Sequence, residues 1–228
     1  MLAVLSRIAM VAIALTALLA VGLLGGCVNA TVQQIREAET GIGATESVVV
    51  LSRKSRPSQD ETEQDFVRCI SRNMNGGKRK VNVVEEQEFR DAAFPWFEPR
   101  TAPVNASDLP ELMAQPELAD RLASLGLRYL IWVQGDTDRT DSAGSLTCSV
   151  TATGAGCFGF LTWEMDAGYE AQVWDVQAGT LAGRISSEAV GTSYMPAVVV
   201  PVPIIARVRA SACSSLSQQL KSFITNES

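Results

Sequence analysis

The chain has 228 residues, 46% of them hydrophobic, with 19 basic and 25 acidic side chains and no histidine. That much apolar residue excludes a mainly disordered chain, and the acidic balance of −6 argues against nucleic acid, whose phosphates need a basic surface. The missing histidine removes the Ser-His-Asp and Cys-His catalytic arrangements and the commonest ligand of catalytic zinc.

Arg7 is followed by an apolar run, Ile8 to Leu24, broken in polarity only by Thr16, and then by Gly25-Gly26-Cys27. A weakly positive start, an apolar core and small residues before a cut site are the parts of an export signal. Leu24-Gly25-Gly26-Cys27 resembles the lipobox of bacterial lipoproteins. The resemblance implies cleavage after residue 26, a diacylglyceryl thioether on Cys27 and an acylated amino group. Several acyl chains hold a protein stably on a bilayer, at about 0.8 kcal/mol per buried CH₂. Val28 stands where many lipoproteins of the inner membrane carry Asp, so the resemblance implies the outer membrane with the domain facing the periplasm. An uncleaved anchor helix over 8–26 is the competing reading, because a stretch of that length nearly spans a hydrocarbon core of about 30 Å. Without the signal, 18 basic and 25 acidic side chains remain, a net −7, which argues against electrostatic attachment to anionic lipid.

Residues 27–45 read as the acylated cysteine and a tether, with a short helix over Val32–Glu39 broken by Gly41-Ile42-Gly43. Ser47–Leu51 is a β-branched run of strand length. Asp60 suits a helix cap, and Phe66, Cys69, Ile70 and Met74 place one apolar stripe on the helix that follows. Asn75-Gly76-Gly77 ends it, and Val81–Val84 is a second strand. Glu85–Ala93 is one helical turn or two. Residues 94–110 hold four prolines and exclude long regular structure. Pro116 opens a helix through Leu118, Leu122 and Leu125 that Gly126 stops. Leu127–Val133 reads as a central strand. Thr137–Gly144 reads as a polar turn, and Leu146–Val150 with Phe158–Trp163 as an antiparallel pair closed through Gly154-Ala155-Gly156. In Tyr169–Val176, residues Tyr169, Ala171, Val173 and Asp175 share one side of a strand. Gln177–Thr180 turns into a strand over Leu181–Val190. Residues 194–206 form an apolar, proline-rich loop, and the chain closes with an amphipathic helix from Val208 to Ile224.

This order predicts a single α/β (α+β) sandwich over residues 46–228, a mixed sheet with flanking helices in two or three layers. In the strand Val48–Leu51 with its helix, in Leu125-Gly126-Leu127 running into Arg128–Val133, in Val173–Gly179 and in the closing helix, the domain resembles the periplasmic domain of curli-secretion-channel lipoproteins and of the lipoproteins that activate penicillin-binding proteins. The resemblance implies the fold and transfers no functional residue.

Four cysteines follow Cys27, and an even number in an oxidising compartment suggests disulfides. Of three connectivities, Cys148–Cys157 would close a hairpin and Cys69–Cys213 would join the first and last helices; buried free thiols compete with that pairing. A zinc site lacks any CxxC pair. Asp136, Asp138 and Asp141 read as a solvated turn rather than a calcium loop, which would need a Gly and a distal Glu. Glu85, Glu86 and Glu88 read as solvated too. Gly154-Ala155-Gly156 lacks the setting of a phosphate loop, no Ser-Lys dyad is singled out, and no cofactor is implied.

Two segments stand out, Phe94-Pro95-Trp96-Phe97 and Met195–Ile205. They either fold back on the core or present a docking surface for a protein or membrane, with Phe94, Trp96, Phe97, Val199 and Ile204 as its candidates. The sequence therefore points to a non-enzymatic envelope lipoprotein that binds or scaffolds another envelope component. The alternatives are a histidine-free envelope hydrolase and an oligomeric secretion-channel lipoprotein, the latter needing long alternating hairpins for which Leu146–Val176 is the candidate.

Overall fold

The computed structural model describes residues 28–52, 64–98, 100–103, 106–152 and 154–226. Residues 1–26, read from the sequence as an export signal, with Cys27 and the expected cap Asp60, lie outside them. The chain divides into a larger compact unit, residues 29–138, 166–190 and 208–228, and a smaller one made of Arg139–Met165, Gly191–Arg207 and Val28.

Six strands hydrogen-bond in the order β1-β6-β5-β4-β2-β3: β1 Val28–Arg36, β2 Ser47–Ser52, β3 Asn82–Val84, β4 Leu127–Thr151, β5 Gly154–Asp175 and β6 Thr180–Pro201. β2 runs parallel to both β3 and β4, with Val48 opposite Val83 and Leu51 opposite Trp132. The short links from β4 to β5 and from β5 to β6 return the chain antiparallel, so the sheet is mixed. With five α-helices among the described residues it is an α/β fold, as the sequence predicts.

In the larger unit every residue of β2 is buried, which requires cover on both sheet faces. One cover is α1 (Gln64–Asn75) and α5 (Val208–Ile224). The stripe Phe66, Val67, Ile70 and Met74 faces inward from α1, and the Phe66 ring stacks on Tyr169 of β5 with centroids 3.5 Å apart. The two helices are joined by Cys69–Cys213 and by Asn73 Nδ2 donating to Ser217 Oγ at 3.1 Å. The opposite cover is α2 (Glu86–Ala92), a 3₁₀ turn at Ala106–Asp108, α3 (Leu109–Met113) and α4 (Pro116–Ser124). These bring Phe89, Leu109, Met113, Leu118 and Leu122 onto Val49, Leu51, Leu130 and Trp132. Each such side chain contributes about 1.5–3 kcal/mol when fully buried.

Two turns position the strands. Gly126, at φ +63°, takes the left-handed conformation that ends α4 and sends its carbonyl to the Ser47 amide at 2.9 Å. After β5, Asp175 Oδ1 accepts from the Gln177 and Ala178 amides at 3.0 and 2.9 Å, while Oδ2 takes Arg128 Nη2 at 2.7 Å. Burial opposes the Arg128 charge, but its hydrogen bond to Tyr129 and the neighbouring Asp175 and Glu46 leave its pKa raised.

Three expectations are corrected. Residues 28–36 are a strand, not a tether leading into a helix over Val32–Glu39. The margin of β6 offers this segment backbone partners that an isolated polar helix of that length lacks, and the Glu37 and Ala38 amides continue the contact to the Ala182 carbonyl at 2.9 and 3.1 Å. Thr137–Gly144 is not a turn but the middle of β4. It is polar because the strand is solvated there, all residues from Asp138 to Ser145 being exposed. Finally, β6 continues through Met195 to Pro201 rather than ending before a loop, and the Val202 amide donates back to the Pro196 carbonyl at 3.0 Å.

Candidate functional site

The smaller unit is built from the distal halves of β4 and β5 and the end of β6. Cys148 and Cys157 face each other across the β4–β5 hairpin and are disulfide-bonded, with Cα atoms 4.0 Å apart. Both disulfides are the pairs favoured from the sequence. Nearer the base, Gly144 (φ +92°) and Gly159 (φ +142°) lie where the strands approach too closely for a side chain. A Cβ on Gly144 would run into the Phe160 carbonyl oxygen, and one on Gly159 into that of Ser145. Glycine inside a strand at a close backbone approach marks a bend or bulge.

Beyond the end of β6 the chain comes back against it. Tyr194 and Ile204 exchange both backbone hydrogen bonds, at 2.8 and 2.7 Å, and the Val202 amide donates to the Pro196 carbonyl at 3.0 Å. Between these contacts Val199 has φ +82°, a conformation β-branched residues rarely adopt. The Phe160 ring approaches that of Tyr194, centroids 6.1 Å apart.

Charge and exposure set this unit apart. Residues 142–163 and 189–206 carry no charged side chain, in a chain with 19% charged residues. Charges flank both stretches at Arg139, Asp141, Glu164, Glu188 and Arg207, and the Arg139 guanidinium lies 5.4 Å from the Trp163 ring centroid. Nine of the twelve exposed large hydrophobic side chains of the described residues fall in this unit, among them Val150 at 85% exposure, Val198 at 79% and Phe158 at 58%. Exposed apolar side chains gathered in one unit make it the candidate interaction surface. One strand margin is open as well. β2 accompanies β4 only as far as Val133, and among the described residues no strand lies beside 139–150 on the side away from β5.

Val199 and Ile204 thus belong to one surface, Val199 exposed and Ile204 half-buried. The aromatic triplet belongs to the larger unit and is different. Phe97 is corrected from docking candidate to core: it is 3% exposed, edge-on to Phe89 at 4.7 Å. Trp96 packs half-buried against the same cluster beneath the Arg121 guanidinium, 5.3 Å from its ring centroid. Arg121 also holds the Phe94 carbonyl at 2.8 Å, leaving only the Phe94 ring well exposed. Sequence reasoning weighted aromatics and missed Val150, Phe158, Phe160 and Val198; the two charge-free stretches were the signal that finds them.

Asp136, Asp138 and Asp141 are strung along β4, Glu86 pairs with Arg90 at 3.0 Å, and among the described residues no three His, Cys, Asp or Glu side chains gather as metal ligands. No described helix is long and apolar enough to cross a membrane, which says nothing about crossing with strands.

No protein-family profile matches the chain, and no curated protein does. Among solved structures the chain is similar to a PelC dodecamer from Paraburkholderia phytofirmans, at 13% identity and a TM-score of 0.38, covering 86% of this chain and 98% of that one. A point variant of that PelC dodecamer follows at 12% identity and a TM-score of 0.36, covering 86% and 99%. Likeness at that level carries nothing about assembly or activity to this chain.

Proposed function

We propose that this chain is a non-enzymatic lipoprotein of the outer membrane, anchored through Cys27 after removal of residues 1–26, whose smaller unit enters the bilayer. The observation that carries the reading is the coincidence of charge-free sequence with outward apolar side chains in one unit. Two of the segments, 142–151 and 154–163, hold ten residues each, and a transmembrane strand needs about 9–11. Trp163 and Tyr194 stand close to the flanking charges in sequence, as aromatic residues do at membrane interfaces.

An open sheet edge does not persist in hydrocarbon, where unpaired amides cost several kcal/mol each. The margin of β4 over 139–150 must therefore be covered, and copies of the chain pairing edge to edge would cover it. This favours the oligomeric, channel-type form of the envelope reading over docking to an unrelated soluble partner. The resemblance to curli-secretion-channel lipoproteins points the same way.

The test is flotation of residues 28–228, exported behind a cleavable signal without the lipid cysteine, with phosphatidylcholine vesicles. The protein should float, and a Val198→Asp/Val200→Asp double variant should stay at the bottom with unchanged thermal unfolding. Loss of floating with loss of fold would return these side chains to a core role, and a wild type that never floats would overturn bilayer entry. Separately, Cys27→Ser in the full chain should abolish lipid labelling and processing.

A further inference from the structure

The larger unit holds a cleft of about 650 Å³ between the end of α1, the loop after it and the last turns of α5. Among the described residues four of its lining side chains are basic, Arg72, Lys78, Arg79 and Lys221, and none is acidic. Hydroxyls of Ser214 and Ser222 lie on the same wall, while that of Ser217 is turned inward to the Cys213 carbonyl. In a mature chain with seven more acidic than basic side chains, such a gathering is not what an even scatter of charge produces. Its volume is in the range of small-molecule sites, about 300–1,000 Å³.

The fold builds the cleft. Gly76 and Gly77 (φ +78°) end α1 and turn the chain, so that Lys78 and Arg79 come round beside Arg72. Lys221 reaches across from α5 and donates to the Gly76 carbonyl at 2.6 Å. Cys69–Cys213 and the Asn73–Ser217 hydrogen bond fix the two walls. Lys221 is partly desolvated, and its pKa is lowered for that reason; an anion beside it would relieve that cost.

We infer that this cleft binds a phosphate group, in which the tetrahedral oxygens take charge-assisted hydrogen bonds from Arg72 and Lys78 and further bonds from the Ser214 and Ser222 hydroxyls. A phosphate offers more acceptor oxygens than a carboxylate and so suits donors placed around a cavity rather than on one side. Lipid headgroups and soluble phosphate esters share that chemistry. The site lies outside the apolar surface and stands independently of the bilayer reading.

The experiment titrates the purified lipidated protein in neutral detergent with inorganic phosphate and with glycerol 3-phosphate by calorimetry, at constant ionic strength held with chloride. In parallel, flotation compares phosphatidylglycerol with phosphatidylcholine vesicles. An Arg72→Glu/Lys78→Glu variant should raise the Kd at least tenfold or abolish the preference for phosphatidylglycerol, and Arg100→Glu, an exposed charge reversal outside the cleft, should do neither. Loss of calorimetric binding identifies a soluble ester; loss of the vesicle preference alone identifies a headgroup. Wild type and double variant alike in both arms, or Arg100→Glu equal to the double variant, would overturn the site. Circular dichroism of both variants excludes misfolding as the cause.

Discussion

Removing the two disulfides should cost unequal amounts in different places. Cys69–Cys213 closes a segment of 144 residues and Cys148–Cys157 one of 9. Chain-entropy reasoning then assigns about 5 kcal/mol to the first and about 2.6 kcal/mol to the second, with measured values commonly about 2–4 kcal/mol. Cys213 is also 1% exposed, so alanine there leaves a small void that adds to the loss. Whole-domain stability is only about 5–15 kcal/mol, so Cys69→Ala/Cys213→Ala should bring the larger unit close to unfolding. Cys148→Ala/Cys157→Ala should spare it and loosen only the hairpin. Urea melts followed by tryptophan fluorescence and far-ultraviolet circular dichroism read the first effect, and amide hydrogen exchange over 142–163 reads the second. The reasoning fails if the hairpin pair proves the more costly, or if the helix pair can be removed without measurable loss.

Four further outcomes follow from named contacts. Phe97→Ala should destabilise by about 3–5 kcal/mol while Phe94→Ala stays within about 0.5 kcal/mol, by urea denaturation; equal effects would contradict the separation of core from surface in that segment. Gly144→Val, which drives a side chain into the Phe160 carbonyl, should impair formation of Cys148–Cys157, read by thiol alkylation of the freshly exported protein. Asp175→Ala removes both the Arg128 partner and two turn hydrogen bonds and should cost about 2–3 kcal/mol, with Asp175→Asn recovering part. Because burial lowers the Lys221 pKa, the unfolded chain binds more protons than the folded one between that value and the ordinary 10.5. Stability contributed through this group therefore rises with pH across that window, and the wild type should gain on Lys221→Met in melts taken from neutral to alkaline pH.

Elements whose residues alternate or recur cleanly were legible in the sequence. β2, the start of β4, the Tyr169–Asp175 face of β5 and the stripes of α1 and α5 follow from periodicity, because each is buried on a face that selects apolar residues. The rest depends on partners that lie far along the chain. β1 is polar on most positions and becomes a strand because β6 presents an unpaired margin. β4 extends through Thr137–Gly144 although the composition there suits a turn, since a solvated hairpin selects little beyond backbone pairing. Phe97 and Val199 look alike as hydrophobic residues near prolines, and only burial separates them. Net charge misled in another way. An overall −6 spread over the chain conceals both a basic cleft of four side chains and two stretches without any charge, and it is these local distributions that mark the candidate surfaces.

The central claim is that the smaller unit meets lipid. A photo-crosslinking amino acid placed at Phe160 or Val198 of the full-length chain in cells, with irradiation and mass spectrometry of the products, tests it most directly. Adducts with acyl chains, accompanied by crosslinks to a second copy from a crosslinker at Thr147 on the open margin of β4, are the result expected. Adducts confined to a soluble periplasmic protein, or none at either position in a correctly processed chain, would contradict it.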